Sequence, residues 1–136
     1  MADTAWEALR QQVYQRANGC CEYCQTSELN IGQTMQVDHI NPDNGEYIDN
    51  LCLACWNCNN HKRAVISVTD AQTGEIFALF NPRTQRWSDH FEWTIQATQI
   101  RGITSTGRVT VERLKMNRPS IVIARKRWGE GGYHPP

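Results

Sequence analysis

The sequence predicts an α+β fold, with a helix at its start, short strands through its middle and helix again towards its end. Three observations carry this. Trp6, Leu9 and Val13 recur at helical spacing within residues 4–17. Short apolar or β-branched runs at 35–38, 51–53, 65–68, 76–80 and 92–97 are separated by turn residues. All six cysteines fall between Cys20 and Cys58, so any covalent or metal staple belongs to the first half of the chain.

The elements follow in order. Thr4 and Glu7 have the spacing of a capping box, and Asn18-Gly19 is a helix stop, so residues 4–17 read as an amphipathic helix. Cys20 to Cys24 reads as a tight turn. Met35–Asp38 and Leu51–Leu53 read as two short strands around the loop chemistry of Asn41-Pro42-Asp43-Asn44-Gly45. Asn57 to Ala64 reads as a short polar helix. Beyond it, Val65–Val68 and Ile76–Phe80 form a hairpin through Thr73-Gly74, and Glu92–Ala97 is a further strand. Thr110 to Met116 reads as helix, closed by Asn117-Arg118-Pro119. Ser120 to Trp128 is either a last helix or a strand, and a tail is expected from Gly129.

A chain of 136 residues is one domain's worth. No linker divides it, so 1–136 reads as a single domain with residues 65–136 as an integral C-terminal extension. No run approaches the roughly 20 apolar residues of a membrane helix. Met1-Ala2-Asp3-Thr4 lacks the basic start and apolar run of a signal peptide, so a soluble, cytoplasmic protein without membrane partners is expected. The formal net charge is zero, but its distribution is uneven. Residues 1–50 hold two Arg against eight Asp and Glu, whereas residues 101–136 hold eight Lys and Arg against Glu112 and Glu130. That polarity fits a polyanion partner for the C-terminal part or a solvated basic face.

Cys21-x2-Cys24 and Cys55-x2-Cys58 are two pairs, each able to turn two thiolates onto one ion. Together they make a closed four-cysteine site of the kind zinc favours, structural because no position is left open. Cys20 could replace Cys21, and Cys52 lies three residues before Cys55. Both are left out because Leu51-Cys52-Leu53 reads as a packed apolar segment.

Between and after these pairs stand Asp38-His39-Ile40 with Pro42, Asn50-Leu51, and Asn59-x2-Lys62 directly after Cys58. Over residues 15–64 this order resembles the HNH endonuclease family of the ββα-metal (His-Me finger) nucleases. The resemblance implies a zinc-stapled ββα-metal core, preceded by a helix and followed by a β-rich extension plus helix. It implies a phosphodiester hydrolase acting on nucleic acid, DNA above RNA. His39 would then be the general base, and Asp38 and Asn59 would be oxygen ligands of a catalytic Mg2+ or Mn2+. Asn50 would hold the loop and help orient the base. The third family position is Asn59 rather than His, and His61 stands as its alternative ligand. Lys62 and Arg63 would contact phosphate. Adjacent strand residues face opposite sides, so Asp38 and His39 can serve one phosphate only if the strand ends there, an end that the Asn41-Pro42 loop favours.

Arg83, Arg86, Arg101, Arg108, Arg113, Lys115, Arg118, Arg125, Lys126 and Arg127 are further candidates for phosphate contacts. His90, among aromatics, reads as a core or surface residue, and the five Trp mostly as packing. The competing reading is a non-catalytic, zinc-stapled nucleic-acid-binding module. A nuclease that needs a protein partner, or a homodimer, also stays open.

Overall fold

In the computed structural model, which describes residues 4–136, the chain opens with helix α1 (Thr4–Ala17). The signal-peptide reading of Met1-Ala2-Asp3 falls outside the described residues. Helix α1 buries Val13 and lays Trp6, Leu9 and Tyr14 against the core, the face its spacing predicts. Thr4 is already helical, so it is not the cap its spacing to Glu7 suggests. Asn18 and Gly19, with φ of 54° and 69°, end the helix through the left-handed region. The next turn closes through Gln25 N–H to Cys21 C=O at 2.9 Å and leads to a one-turn helix α2 (Glu28–Ile31), which the sequence pattern does not announce.

Strand β1 (Gln36–His39) pairs antiparallel with β2 (Leu51–Ala54), with Asp38 opposite Cys52 and His39 opposite Leu51. The strand starts one residue later than its apolar pattern, because the Met35 carbonyl accepts the Tyr14 hydroxyl at 2.9 Å instead of joining the ladder. The connecting loop ends in a 3-10 turn at Ile48–Asn50. Helix α3 (Trp56–Lys62) follows β2 directly, its first turn capped by Cys55, whose Sγ accepts the Cys58 N–H. Arg16 ties α1 to this unit by donating to the carbonyls of Ile48 and Leu51.

The extension holds two more hairpins. β3 (Ser67–Thr69) pairs with β4 (Ile76–Ala78), turning through Gly74 at φ 75°. A one-turn helix α4 (Trp87–His90) leads into β5 (Phe91–Thr94), which pairs with β6 (Gln99–Gly102). The strand expected over 92–97 therefore stops early. Ile95, Gln96 and Ala97 take φ of 51°, 55° and 62°, which turns the chain back on itself. The helix expected from Thr110 begins five residues sooner, as α5 (Ser105–Arg113), because the Thr104 hydroxyl accepts the Gly107 N–H at 3.0 Å and caps it. Glycine is required at 107, where a Cβ would lie 2.0 Å from the His90 carbonyl oxygen.

The last segment, open between helix and strand in the sequence, is helix α6 (Pro119–Glu130), with Pro119 in its first turn. The expected tail from Gly129 is not loose. α6 runs through Gly129, and His134 is buried with its Nε2 2.8 Å from the Ala97 carbonyl and its ring edge-on to Trp93.

The architecture is thus α+β, with three two-stranded sheets and no closed barrel among the described residues. One apolar cluster joins Val13, Tyr23, Leu51 and Leu53 from the first half to Phe80, Phe91, Leu114 and Met116 from the extension. Polar links reinforce it. Trp87 Nε1 donates to the Tyr23 carbonyl at 2.8 Å, and Asn57 Nδ2 donates to the Leu114 carbonyl at 2.9 Å. Among the described residues no helix is long and apolar enough to cross a membrane.

Candidate functional site

The two Cys-x2-Cys turns meet. The Sγ atoms of Cys21, Cys24, Cys55 and Cys58 lie within 4.8 Å of one another, all buried. Cys24 Sγ and Cys55 Sγ are 3.7 Å apart. A tetrahedral site with zinc–sulfur bonds of about 2.3 Å needs edges of about 3.8 Å, so the donor set fits zinc. Hydrogen bonds from the Cys21, Cys55 and Cys58 thiols hold the Cys24 thiol well below its usual range, while burial pushes the Cys21 thiol up. Four buried sulfur donors at these distances are an environment that a soft cation completes. Cys20 lies outside the cluster, half-buried at a bridge to Ser27. Cys52 is buried in β2, and burial followed by the Asp38 charge raises its thiol well above the usual range.

Helix α3 lies along one face of β1. Asn59 and Lys62, three residues apart, meet Gln36 and Asp38, two residues apart on the strand. Asn59 Nδ2 donates to Gln36 Oε1. The Lys62 ammonium lies 3.1 Å from Asp38 Oδ2 and donates to the carbonyls of His39 at 3.2 Å and Ile40 at 3.1 Å. Asp38 Oδ2 also accepts the Tyr23 hydroxyl at 2.8 Å. Burial, followed by Cys52 and Asp38, raises the Tyr23 phenol well above its usual range, so it stays protonated and donates. Lys62 is 1% exposed, with its three N–H groups directed inward. A buried ammonium with three internal partners is not free to grip a phosphate, which corrects the expectation for Lys62.

His39 leaves the strand on the other side. Its ring lies parallel to Trp6, with centroids 6.4 Å apart, and its Nε2 is 3.6 Å from Glu46 Oε1. Its side chain is one-third exposed, so solvent reaches it. Asp38 and His39 thus diverge, as strand alternation requires. Asp38 sits under α3, and His39 sits at the mouth of the 40–50 loop. Glu46 had no sequence signal, since a loop carboxylate seven residues from a histidine follows no spacing rule.

Asn50 braces the loop beside His39. Its Nδ2 donates to the carbonyls of Asn41 and Gly45, each at 2.8 Å, and its Oδ1 accepts the Asn41 N–H at 3.0 Å. Its own carbonyl takes the Ile40 N–H at 2.8 Å. Asn50→Ala is expected to cost about 2–4 kcal/mol, the sum of three partly buried hydrogen bonds. Urea unfolding of the zinc-loaded protein measures it, and Asn50→Asp, which keeps only the acceptor, should fall between.

His61 donates from Nδ1 to the Asn57 carbonyl at 2.8 Å, which leaves Nε2 outward. Arg63 is exposed at the end of α3. Several basic candidates are committed elsewhere. Arg83 pairs with Glu22, Arg101 with Glu92, and Arg108 with Asp70 at 3.0 Å. Arg125 is buried against the carbonyls of Thr98 and Met116. His90 packs on Phe80 and bonds the Thr104 hydroxyl at 2.7 Å, a structural role.

Residues 21–64 match the HNH endonuclease family. The HNH segment runs from the first zinc cysteine to the residue after Arg63, and takes in β1, the braced loop, β2 and α3. No curated protein and no solved structure matches the chain. The match over this segment suggests a nuclease or nucleic-acid-binding function, and its four clustered cysteines suggest zinc.

Proposed function

We propose that the chain is a metal-dependent endonuclease that hydrolyses DNA phosphodiester bonds through its HNH segment. The observation that carries this is a solvent-accessible His39 held at the mouth of a braced loop, beside a helix whose Asn59 shares one strand face with Asp38. His39 takes a proton from water, the water oxygen bonds to phosphorus, and the ester oxygen leaves with a proton from solvent. Glu46, 3.6 Å from Nε2, helps to orient the imidazole. Asn50 holds the loop so that the imidazole keeps its direction. Asp38 and Asn59 each offer an Oδ1 outside the bonds described above, a hard-oxygen set suited to Mg2+ or Mn2+. Such an ion, when bound, supplies positive charge to the phosphate and leaving oxygen. The extension, packed into the same core, forms one folded unit with the HNH segment.

One observation favours the second reading, a nucleic-acid-binding module without catalysis. The Asp38 carboxylate is already paired with Lys62, on the strand face away from His39. Supercoiled plasmid incubated with zinc-loaded protein and Mg2+ or Mn2+ separates the two. Conversion to open circles is expected. Retardation in a gel with no conversion would establish the binding module instead.

A further inference from the structure

We infer that the groove between the end of α3 and the end of α5 is where duplex DNA lays its phosphate backbone. The inference rests on the nucleic-acid reading and adds a docking surface to it. The groove, about 460 Å³, is lined by Asn60, His61, Arg63, Glu112, Arg113 and Lys115. Three cations therefore face one carboxylate, in a chain whose net charge is zero.

The groove takes in Asn60, the residue after Asn59 on α3, and so lies one helical step round from the proposed catalytic face. Arg63 and Lys115 are exposed. Arg113 is half-buried, and its Nε is shielded from solvent with no hydrogen-bond partner. With Nε turned inward, the two terminal nitrogens of the Arg113 guanidinium are the groups left to meet a phosphate in the groove. The side-chain amide of Asn60 adds an uncharged donor of the kind that fixes a backbone without reading its sequence.

The other basic residues sharpen the assignment. Arg83, Arg101 and Arg108 are spent on carboxylates and Arg125 on carbonyls, so the excess charge of the extension is not spread evenly. Arg113 and Lys115 bring part of it beside α3, which gives residues 105–115 a role that the HNH segment alone does not supply.

The test compares two double variants of the full chain, each losing two positive charges. Arg113→Gln/Lys115→Gln empties the groove, and Lys126→Gln/Arg127→Gln removes exposed charge from α6. Zinc content and thermal unfolding confirm that both are folded. Binding to a labelled duplex DNA is followed by anisotropy across a salt series, without added divalent ion. Each lost phosphate contact lowers the slope of log affinity against log salt by about one. The groove variant should lose about two from that slope and bind at least about tenfold more weakly near 0.1 M salt, while the α6 variant stays near wild type. Equal losses in both variants would overturn the inference, because net charge alone would explain them. An unchanged groove variant, wild type that does not bind duplex, or tighter binding of RNA than of duplex DNA would also overturn it. Failure of the nuclease reading shows separately, as wild type that binds through the groove but does not nick.

Discussion

Stripping the metal from the four-cysteine cluster is expected to unfold this chain. A chelator at neutral pH is expected to abolish its cooperative thermal transition, and Cys58→Ser is expected to give a protein that neither holds zinc nor folds. The apparent binding free energy of structural four-ligand zinc is about 10–16 kcal/mol, whereas a whole domain is stable by about 5–15 kcal/mol. The cluster ties the turn after α1 to the start of α3, and nothing else covalent joins them, since all six cysteines are free thiols. Without the ion, the fold would have to bury four cysteine sulfurs within 4.8 Å of one another with no cation between them. Circular dichroism with a colorimetric zinc assay measures the effect. Cys20→Ser is the control and should keep both zinc and fold, because Cys20 lies outside the cluster. A chelated protein that melts like the zinc form would contradict the account.

The second large effect is expected at Lys62. Lys62→Met should lower stability by about 3–5 kcal/mol, the cost of leaving a buried charge unpaired. Asp38, 5% exposed, would keep only the Tyr23 hydroxyl and the weak Cys52 thiol, and the carbonyls of His39 and Ile40 would lose their shared donor. The effect should not add to that of its partner. Lys62→Met/Asp38→Leu should recover much of the loss, because an apolar pair of similar volume removes the desolvation cost of both charges. Nicking should stay absent in the double variant, since the proposed ion loses a ligand. Denaturant midpoints of the two single variants and the double form the cycle. Single-variant losses that simply add would show that the ion pair is not what holds the end of β1.

The cysteine centre was legible in the sequence because its geometry is local. A Cys-x2-Cys turn sets two thiolates by backbone conformation alone, and two such turns need only meet. The divergence of Asp38 and His39 was not read ahead, because Asn41-Pro42 suggested a strand end that would turn both to one phosphate, whereas the ladder runs through His39 opposite Leu51 and alternation persists to that residue. Nor was the inward commitment of Lys62. Its partners lie 22 to 24 residues back, and an exposed and a buried lysine look the same in a polar helix. Glu46 was hidden because its meeting with His39 depends on how the braced loop folds over. In the extension, β6 was missed because three consecutive residues of positive φ, none of them glycine, make its turn. Helix α5 was read short because its first turn, Ser-Thr-Gly-Arg, has no apolar period, and its start depends on the Thr104 cap.

The central claim is that His39 takes the proton from the attacking water. Zinc-loaded wild type and zinc-loaded His39→Ala, with matched thermal unfolding, are compared on supercoiled plasmid with Mg2+ or Mn2+. The expected result is nicking by wild type and a rate lower by about 10²–10⁴ in the variant, the usual contribution of a positioned general base. A His39→Ala protein that nicks as fast as wild type would contradict it.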